Sequence, residues 1–131
     1  MNLHEALGLV PGAILMHSLT RRHAILLCAL PLPNGRITIQ YLDYDAERWD
    51  GLDPKQFERS RLIAGTLLYN TETEQNALLC EDSAGPTVRV RYLTDLHTSI
   101  EEPLCITREG RLNVPLRLVP PPRNTVARKQ P

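Results

Sequence analysis

Long apolar runs and paired cysteines are both missing from this 131-residue chain. No apolar segment approaches the roughly 20 residues that a membrane-spanning helix needs. The first residues, MNLHEA, lack the basic start and apolar core of a secretory signal. Three cysteines are an odd number, which argues against a disulfide framework and for a reducing compartment. We therefore expect a cytoplasmic protein that does not insert into a membrane.

Motifs for metal binding or catalysis are also missing. The three cysteines contain no Cys-x2-Cys pair of the kind found in zinc sites. Cys28 and Cys80 occupy equivalent places in apolar runs, where a cysteine behaves as a small hydrophobic residue. No local motif joins a cysteine nucleophile to a histidine base. We expect no metal, no cofactor and no enzymatic activity.

The chain has no excess of charge of either sign, because its formal net charge is zero. It therefore lacks the high isoelectric point expected of a nucleic-acid-binding domain. The charges are unevenly placed, however. Residues 43–102 carry 13 acidic and 6 basic side chains, whereas residues 103–131 carry 6 basic side chains and one acidic one. The neutral total conceals an acidic middle and a basic end.

The most informative feature that is present is an internal repeat. Three apolar segments of strand length recur after a shift of 53 residues at the start and 51 residues at the end. Internal repetition predicts a pair of similar units, and short strand-rich units favour small β-barrels or one sheet built from two related meanders. The matching segments are residues 12–17, 24–28 and 37–42 in the first copy and 65–70, 77–80 and 88–93 in the second.

Alternation of apolar residues predicts which side chains of these strands are buried. Residues 24–30 form an unbroken apolar run, which is typical of a strand buried on both faces. In the third segment of each copy the pattern alternates, and successive side chains of a strand point to opposite faces. The predicted inward residues are Ile37, Ile39 and Tyr41 in the first copy and Val88, Val90 and Tyr92 in the second.

The sequence divides the chain into four predicted segments. Residues 1–11 are predicted to form a short helix and a turn, because Asn2 and Glu5 have the spacing of a capping box. The first β unit covers residues 12–60, and the second, with a C-terminal hairpin, covers 61–119. Residues 120–131 are rich in proline and basic side chains and predict a disordered tail. The predicted fold is mainly all-β, with the two repeated units packed together.

An acidic and aromatic segment follows the third strand of the first copy. It contains Tyr41, Asp43, Tyr44 and Asp45, with Glu47 and Trp49 close behind. Together with Ile37-Thr38-Ile39-Gln40, this stretch resembles the Tudor branch of SH3-like barrels, in which a strand runs into a short aromatic-acidic turn. The resemblance implies two Tudor-like units and an aromatic cage for a methylated cation, with Tyr44 at the matching position and nearby acids assisting. The second copy has no aromatic residue where Tyr44 stands.

The aromatic residues leave two interpretations open. In the first, Tyr41, Tyr44 and Trp49 form a binding surface together with Asp43, Asp45 and Glu47. In the second, Tyr41 is a core residue, while Tyr44 and Trp49 pack over the end of a barrel.

The leading functional hypothesis is a non-catalytic protein-binding or adaptor module. It would recognise a basic protein segment through the acidic-aromatic surface or through a sheet edge. The alternative is a nucleic-acid-binding accessory or regulatory factor that uses an arginine-rich strand face and the basic tail. The arginines of that alternative surface are Arg21, Arg22, Arg36, Arg89 and Arg91.

Overall fold

The computed structural model describes residues 8–29, 35–43 and 46–119. This part of the chain is all-β, with three sheets, one 3-10 turn and no α-helix. The first seven residues of the predicted N-terminal helix and the predicted tail lie outside the described residues. Within the described ranges, no helix has the length and apolar character that crossing a membrane requires.

The first sheet contains five antiparallel strands from the first half of the chain. Four of them pair in chain order, and the fifth pairs with the other side of the first, which gives the order β4-β3-β2-β1-β5. A 3-10 turn at Pro54–Gln56 leads into the last strand. The strands are β1 (Ile14–His17), β2 (His23–Ala29), β3 (Ile37–Tyr41), β4 (Arg48–Leu52) and β5 (Phe57–Arg59).

The second sheet is built in the same way from the second half of the chain. Its order is β12-β6-β7-β8-β9, so again four consecutive strands pair in chain order and a later strand pairs with the first of them. A small hairpin of β10 (Cys105–Ile106) and β11 (Leu112–Asn113) precedes the last strand. The five strands are β6 (Leu67–Asn70), β7 (Gln75–Leu79), β8 (Val88–Tyr92), β9 (Thr98–Glu101) and β12 (Leu116–Leu118).

Neither five-stranded sheet closes into a barrel. The structure has open sheets where the sequence predicts small barrels. The edge strands provide one physical reason, because β5 and β12 are each three residues long and offer few backbone groups for a closing ladder. The register shift between Ile37 and Ile39 also disturbs the pairing of β3 with β4 at the opposite edge.

Side chains on one face of the first sheet form a core of their own. Residues from β1, β2, β3 and β5 meet there and are buried, because sheet alternation brings them to the same side. This first-sheet core consists of Ala13, Leu15, Ala24, Leu26, Ile37, Ile39, Tyr41 and Phe57.

The opposite face of the first sheet is buried as well, against the second sheet. Four side chains from the first half, Ile14, Ile25, Leu27 and Leu42, belong to one cluster with the inward residues of the second half. We call this cluster the shared core. Its members from the second half are Leu62, Leu68, Ala77, Leu79, Val88, Val90, Tyr92, Val114 and Leu116.

The predicted burial pattern is confirmed in both copies. The triplets Ile37/Ile39/Tyr41 and Val88/Val90/Tyr92 are all buried. Strand β2 is buried on both faces, because Ala24 and Leu26 belong to the first-sheet core while Ile25 and Leu27 belong to the shared core.

A close backbone contact joins the two halves beside the shared core. The backbone N–H of Ile14 donates to the carbonyl oxygen of Ala84 at 2.8 Å. Next to this bond, a Cβ atom added at Gly85 would lie 2.2 Å from the carbonyl oxygen of Gly12. Both glycines also have positive φ angles, of +99° at Gly12 and +84° at Gly85. Glycine is therefore required here for space as well as for backbone conformation.

We expect Gly85→Ala to destabilise the protein far more than Gly110→Ala. The two glycines have similar φ angles of +84° and +79°, but a Cβ atom at Gly110 would meet nothing within 4 Å. Gly110→Ala should therefore cost only the strain of a left-handed alanine, about 1–2 kcal/mol. Gly85→Ala should cost about 3 kcal/mol or more, because the backbone of Gly12 must also move. Urea denaturation of both variants measures the difference, and equal losses would contradict a close contact between the halves.

Candidate functional site

Arg22 covers the ring of Tyr41 at the end of the first sheet. Its guanidinium carbon lies 3.8 Å from the ring centroid. Strand pairing explains the contact: Ala24 of β2 lies opposite Tyr41 of β3, and Arg22, two residues earlier, continues the same side of the chain. Tyr41 is only 6% exposed, so the aromatic ring is part of the core and the arginine lies on its outer side.

Two carboxylates hold Arg22 in this position. Its Nε donates to Oδ2 of Asp43 at 2.5 Å, and its Nη2 donates to Oδ1 of the same residue at 2.9 Å. A third, longer contact of 3.5 Å joins Nη1 to Oε1 of Glu47. A two-point contact between a guanidinium and a carboxylate is among the stronger ion pairs, and this one is partly buried. Arg22 therefore offsets part of the negative charge of the acidic segment, although it lies outside that segment in the sequence.

Trp49 lies on β4, at the edge of the first sheet, and 49% of it is exposed. Its Cα pairs with that of Ile39, so the backbone is anchored while much of the indole contacts solvent. The neighbouring Asp50 side chain is 76% exposed and lies 3.7 Å from Nε of Arg48. Of the other predicted binding residues, Tyr44 and Asp45 lie outside the described residues.

In the second half of the chain, a histidine covers the tyrosine that ends β8. The imidazole of His97 stacks on Tyr92 with a centroid distance of 4.9 Å and an interplanar angle of 24°. His97 Nδ1 in turn contacts Asp95, and this hydrogen bond holds the pKa of the Asp95 carboxyl below its usual value. In both halves, then, the tyrosine that ends the third strand of the five-stranded sheet is covered by another side chain of the protein.

A buried polar contact supports Tyr92 from the other side. Nδ2 of Asn70 donates to the tyrosine hydroxyl at 3.0 Å, while Oδ1 accepts from the backbone N–H of Glu72 at 2.9 Å. Burial raises the pKa of Tyr92 above its usual value, which disfavours the ionised hydroxyl further. The sequence pattern does not predict a role for Asn70. Its position two residues after Leu68 on the same strand is the signal that places it on the inward side, where it is buried.

The five predicted arginines do not lie on one strand face, and only Arg89 and Arg91 share an element. Arg89 and Arg91 are exposed on the outward face of β8, as predicted. Arg36 is exposed immediately before β3, and Arg21 contacts Glu58 at 3.4 Å. Since Arg22 is held by Asp43, the pair on β8 is the part of this set that stands on an open sheet face.

The cysteines do not converge with other ligands or bases. No group of three or more histidine, cysteine or acidic residues is close enough to hold a metal ion among the residues that the structure describes. All three thiols are free, and burial raises the pKa of Cys105, which disfavours its thiolate form. Cys80 is exposed, whereas its apolar run predicts a buried residue.

Comparison with known proteins does not assign the chain to a family. No protein-family model matches the chain, and no curated protein matches it.

We expect Arg22→Lys to destabilise the protein by about 1 kcal/mol, because lysine can neither bind a carboxylate at two points nor stack as a plane on Tyr41. Arg21→Lys is the matched control. Arg21 is more exposed and makes one contact at 3.4 Å, so its replacement should change stability by less than about 0.5 kcal/mol. Urea denaturation of both variants tests this expectation, and equal effects would show that the Arg22 contacts add nothing to stability.

Proposed function

We propose that the protein is a non-catalytic binding or adaptor module whose two halves are repeated SH3-like, Tudor-like units. The shared strand order of the two sheets and the equivalent buried triplets support the repeat. The aromatic end of the third strand in each half supports the likeness. We keep the cytoplasm as the proposed location, on the ground of the odd number of cysteines.

The proposed partner is a basic protein segment that binds beside Trp49. The main supporting observation is that the single tryptophan of the chain stands 49% exposed on an edge strand, where the exposed carboxylate of Asp50 follows it in the sequence. A large surface aromatic side chain supplies contact area at a small entropy cost, and tryptophan is enriched among residues that dominate binding energy. Neighbouring carboxylates attract cationic side chains and orient them.

The carboxylates of this region differ in how free they are to bind a partner. Asp43 is engaged at two points by Arg22, so it serves mainly to hold the arginine over Tyr41. Asp50 contacts Arg48 at 3.7 Å, and both side chains are at least half exposed. Exposed pairs of this kind contribute little free energy, so Asp50 can exchange Arg48 for a lysine or arginine of the partner.

The side chains of β4, rather than its free backbone edge, form the proposed contact. Gly51 interrupts the strand with a positive φ of +67°, and the pairing register of β3 with β4 shifts between Ile37 and Ile39. Irregularities of this kind at an edge disfavour the addition of another strand. The acidic-aromatic surface around Trp49 is therefore a better docking site than the sheet edge.

Because Trp49 is the single tryptophan, its fluorescence reports binding at this surface directly. We expect a lysine-rich peptide of twelve residues to shift the Trp49 emission, and a glutamate-rich peptide of equal length to leave it unchanged. Asp50→Asn should weaken binding of the basic peptide about threefold, since one charge contact is lost. Glu109→Gln, which removes an exposed carboxylate in a distant turn, is the control. Unchanged Trp49 emission, or equal losses in the two variants, would refute the proposed site.

A further inference from the structure

The outward face of the second sheet is a separate surface, and strand pairing defines it. Because inward residues of β6, β7, β8 and β12 belong to the shared core, the alternate residues of these strands face away from it. Strand β9 extends the same face, because its Thr98 and Ile100 pair with Arg91 and Arg89 of β8. We call these residues the outer face. They are Leu67 and Tyr69 on β6, Asn76 and Leu78 on β7, Arg89 and Arg91 on β8, Thr98 and Ile100 on β9, and Arg117 on β12.

The outer face is cationic. It carries three arginines, and none of its nine residues is acidic. Arg89 has one carboxylate neighbour, Glu81, at 3.6 Å, and both side chains are well exposed. Within the described part of the chain, Arg91 and Arg117 make no ion pair. Because the acidic residues around Trp49 offset these charges, a net charge of zero does not reveal the basic face.

Each of the three arginines stands directly across from an apolar or aromatic side chain on the next strand. Arg117 pairs with Tyr69, Arg91 with Leu78, and Arg89 with Ile100. Leu78 and Ile100 are 37% and 61% exposed, so each presents apolar surface to solvent on this face. The face thus places an arginine beside an apolar or aromatic side chain on three pairs of strands, with Arg89 and Arg91 exposed and Arg117 partly buried.

We propose that the outer face binds single-stranded nucleic acid. Guanidinium groups contact phosphate oxygens at two points, a base stacks on the ring of Tyr69, and Leu78 and Ile100 add apolar contact to neighbouring bases. An acidic peptide would satisfy the arginines but would leave the exposed apolar side chains uncovered. A duplex is disfavoured, because groove recognition uses a projecting helix or ribbon and this face is an open sheet. The surface is distinct from the site of the basic protein segment, so either site can fail while the other stands.

Fluorescence anisotropy with a labelled dT12 oligonucleotide tests the proposal on the full chain. With three arginine contacts, the logarithm of the binding constant should fall with the logarithm of salt concentration with a slope of about −2. Arg91→Gln should weaken binding about fivefold and make the slope shallower by about 0.7. Tyr69→Leu should also weaken binding while leaving the slope unchanged, since it removes a stacking surface but no charge.

The control is Arg59→Gln, which removes an exposed arginine from β5 of the first sheet. The proposal expects nearly unchanged binding in this variant. Three results would overturn it: no binding of dT12 at 50 mM salt, equal losses in Arg59→Gln and Arg91→Gln, or displacement of dT12 by a glutamate-rich peptide at lower concentration than by unlabelled dT12. The last result would assign the outer face to an acidic protein segment. Thermal melting of the variants verifies that all of them are folded.

Discussion

Strand β2 has no face that can be exposed to water, and the rest of the structure depends on this constraint. Ala24 and Leu26 point into the first-sheet core, while Ile25 and Leu27 point the other way. A single sheet with one covered face cannot satisfy such a strand, because exposing two large aliphatic side chains would cost about 3 kcal/mol or more. The second sheet supplies the missing cover. The two halves are therefore parts of one hydrophobic unit rather than independent domains on a linker.

The shared core also determines which surfaces remain available for binding. It occupies the inward face of the second sheet and the second face of the first sheet, so neither can serve a partner. Two of the surfaces that remain accessible are the edge of the first sheet around Trp49 and the outer face of the second sheet. These two surfaces have opposite charge character. A module with one acidic-aromatic surface and one arginine-bearing surface is suited to bringing two different partners together, which is consistent with an adaptor.

Much of the fold follows from local pattern, whereas the site depends on contacts that local pattern does not encode. Two-residue alternation and the unbroken run at 24–30 correctly predict the buried triplets and the strand with two buried faces. The contact of Arg22 with Asp43 joins residues 21 positions apart and arises from the pairing of β2 with β3. Likewise, no local signal pairs Asn70 with Tyr92 across 22 positions. Failure of the sheets to close reflects edge-strand length and bulging, which apolar periodicity does not measure.

The claim that the two halves form one cooperative unit is tested most directly by urea unfolding observed in both sheets of the same sample. Fluorescence of Trp49 reports the first sheet, and NMR signals from the backbone amides of Val88, Val90 and Tyr92 report the second. A shared core predicts coincident transitions with the same midpoint and the same dependence on urea concentration. Two separated transitions, with one sheet intact after the other has unfolded, would contradict the account.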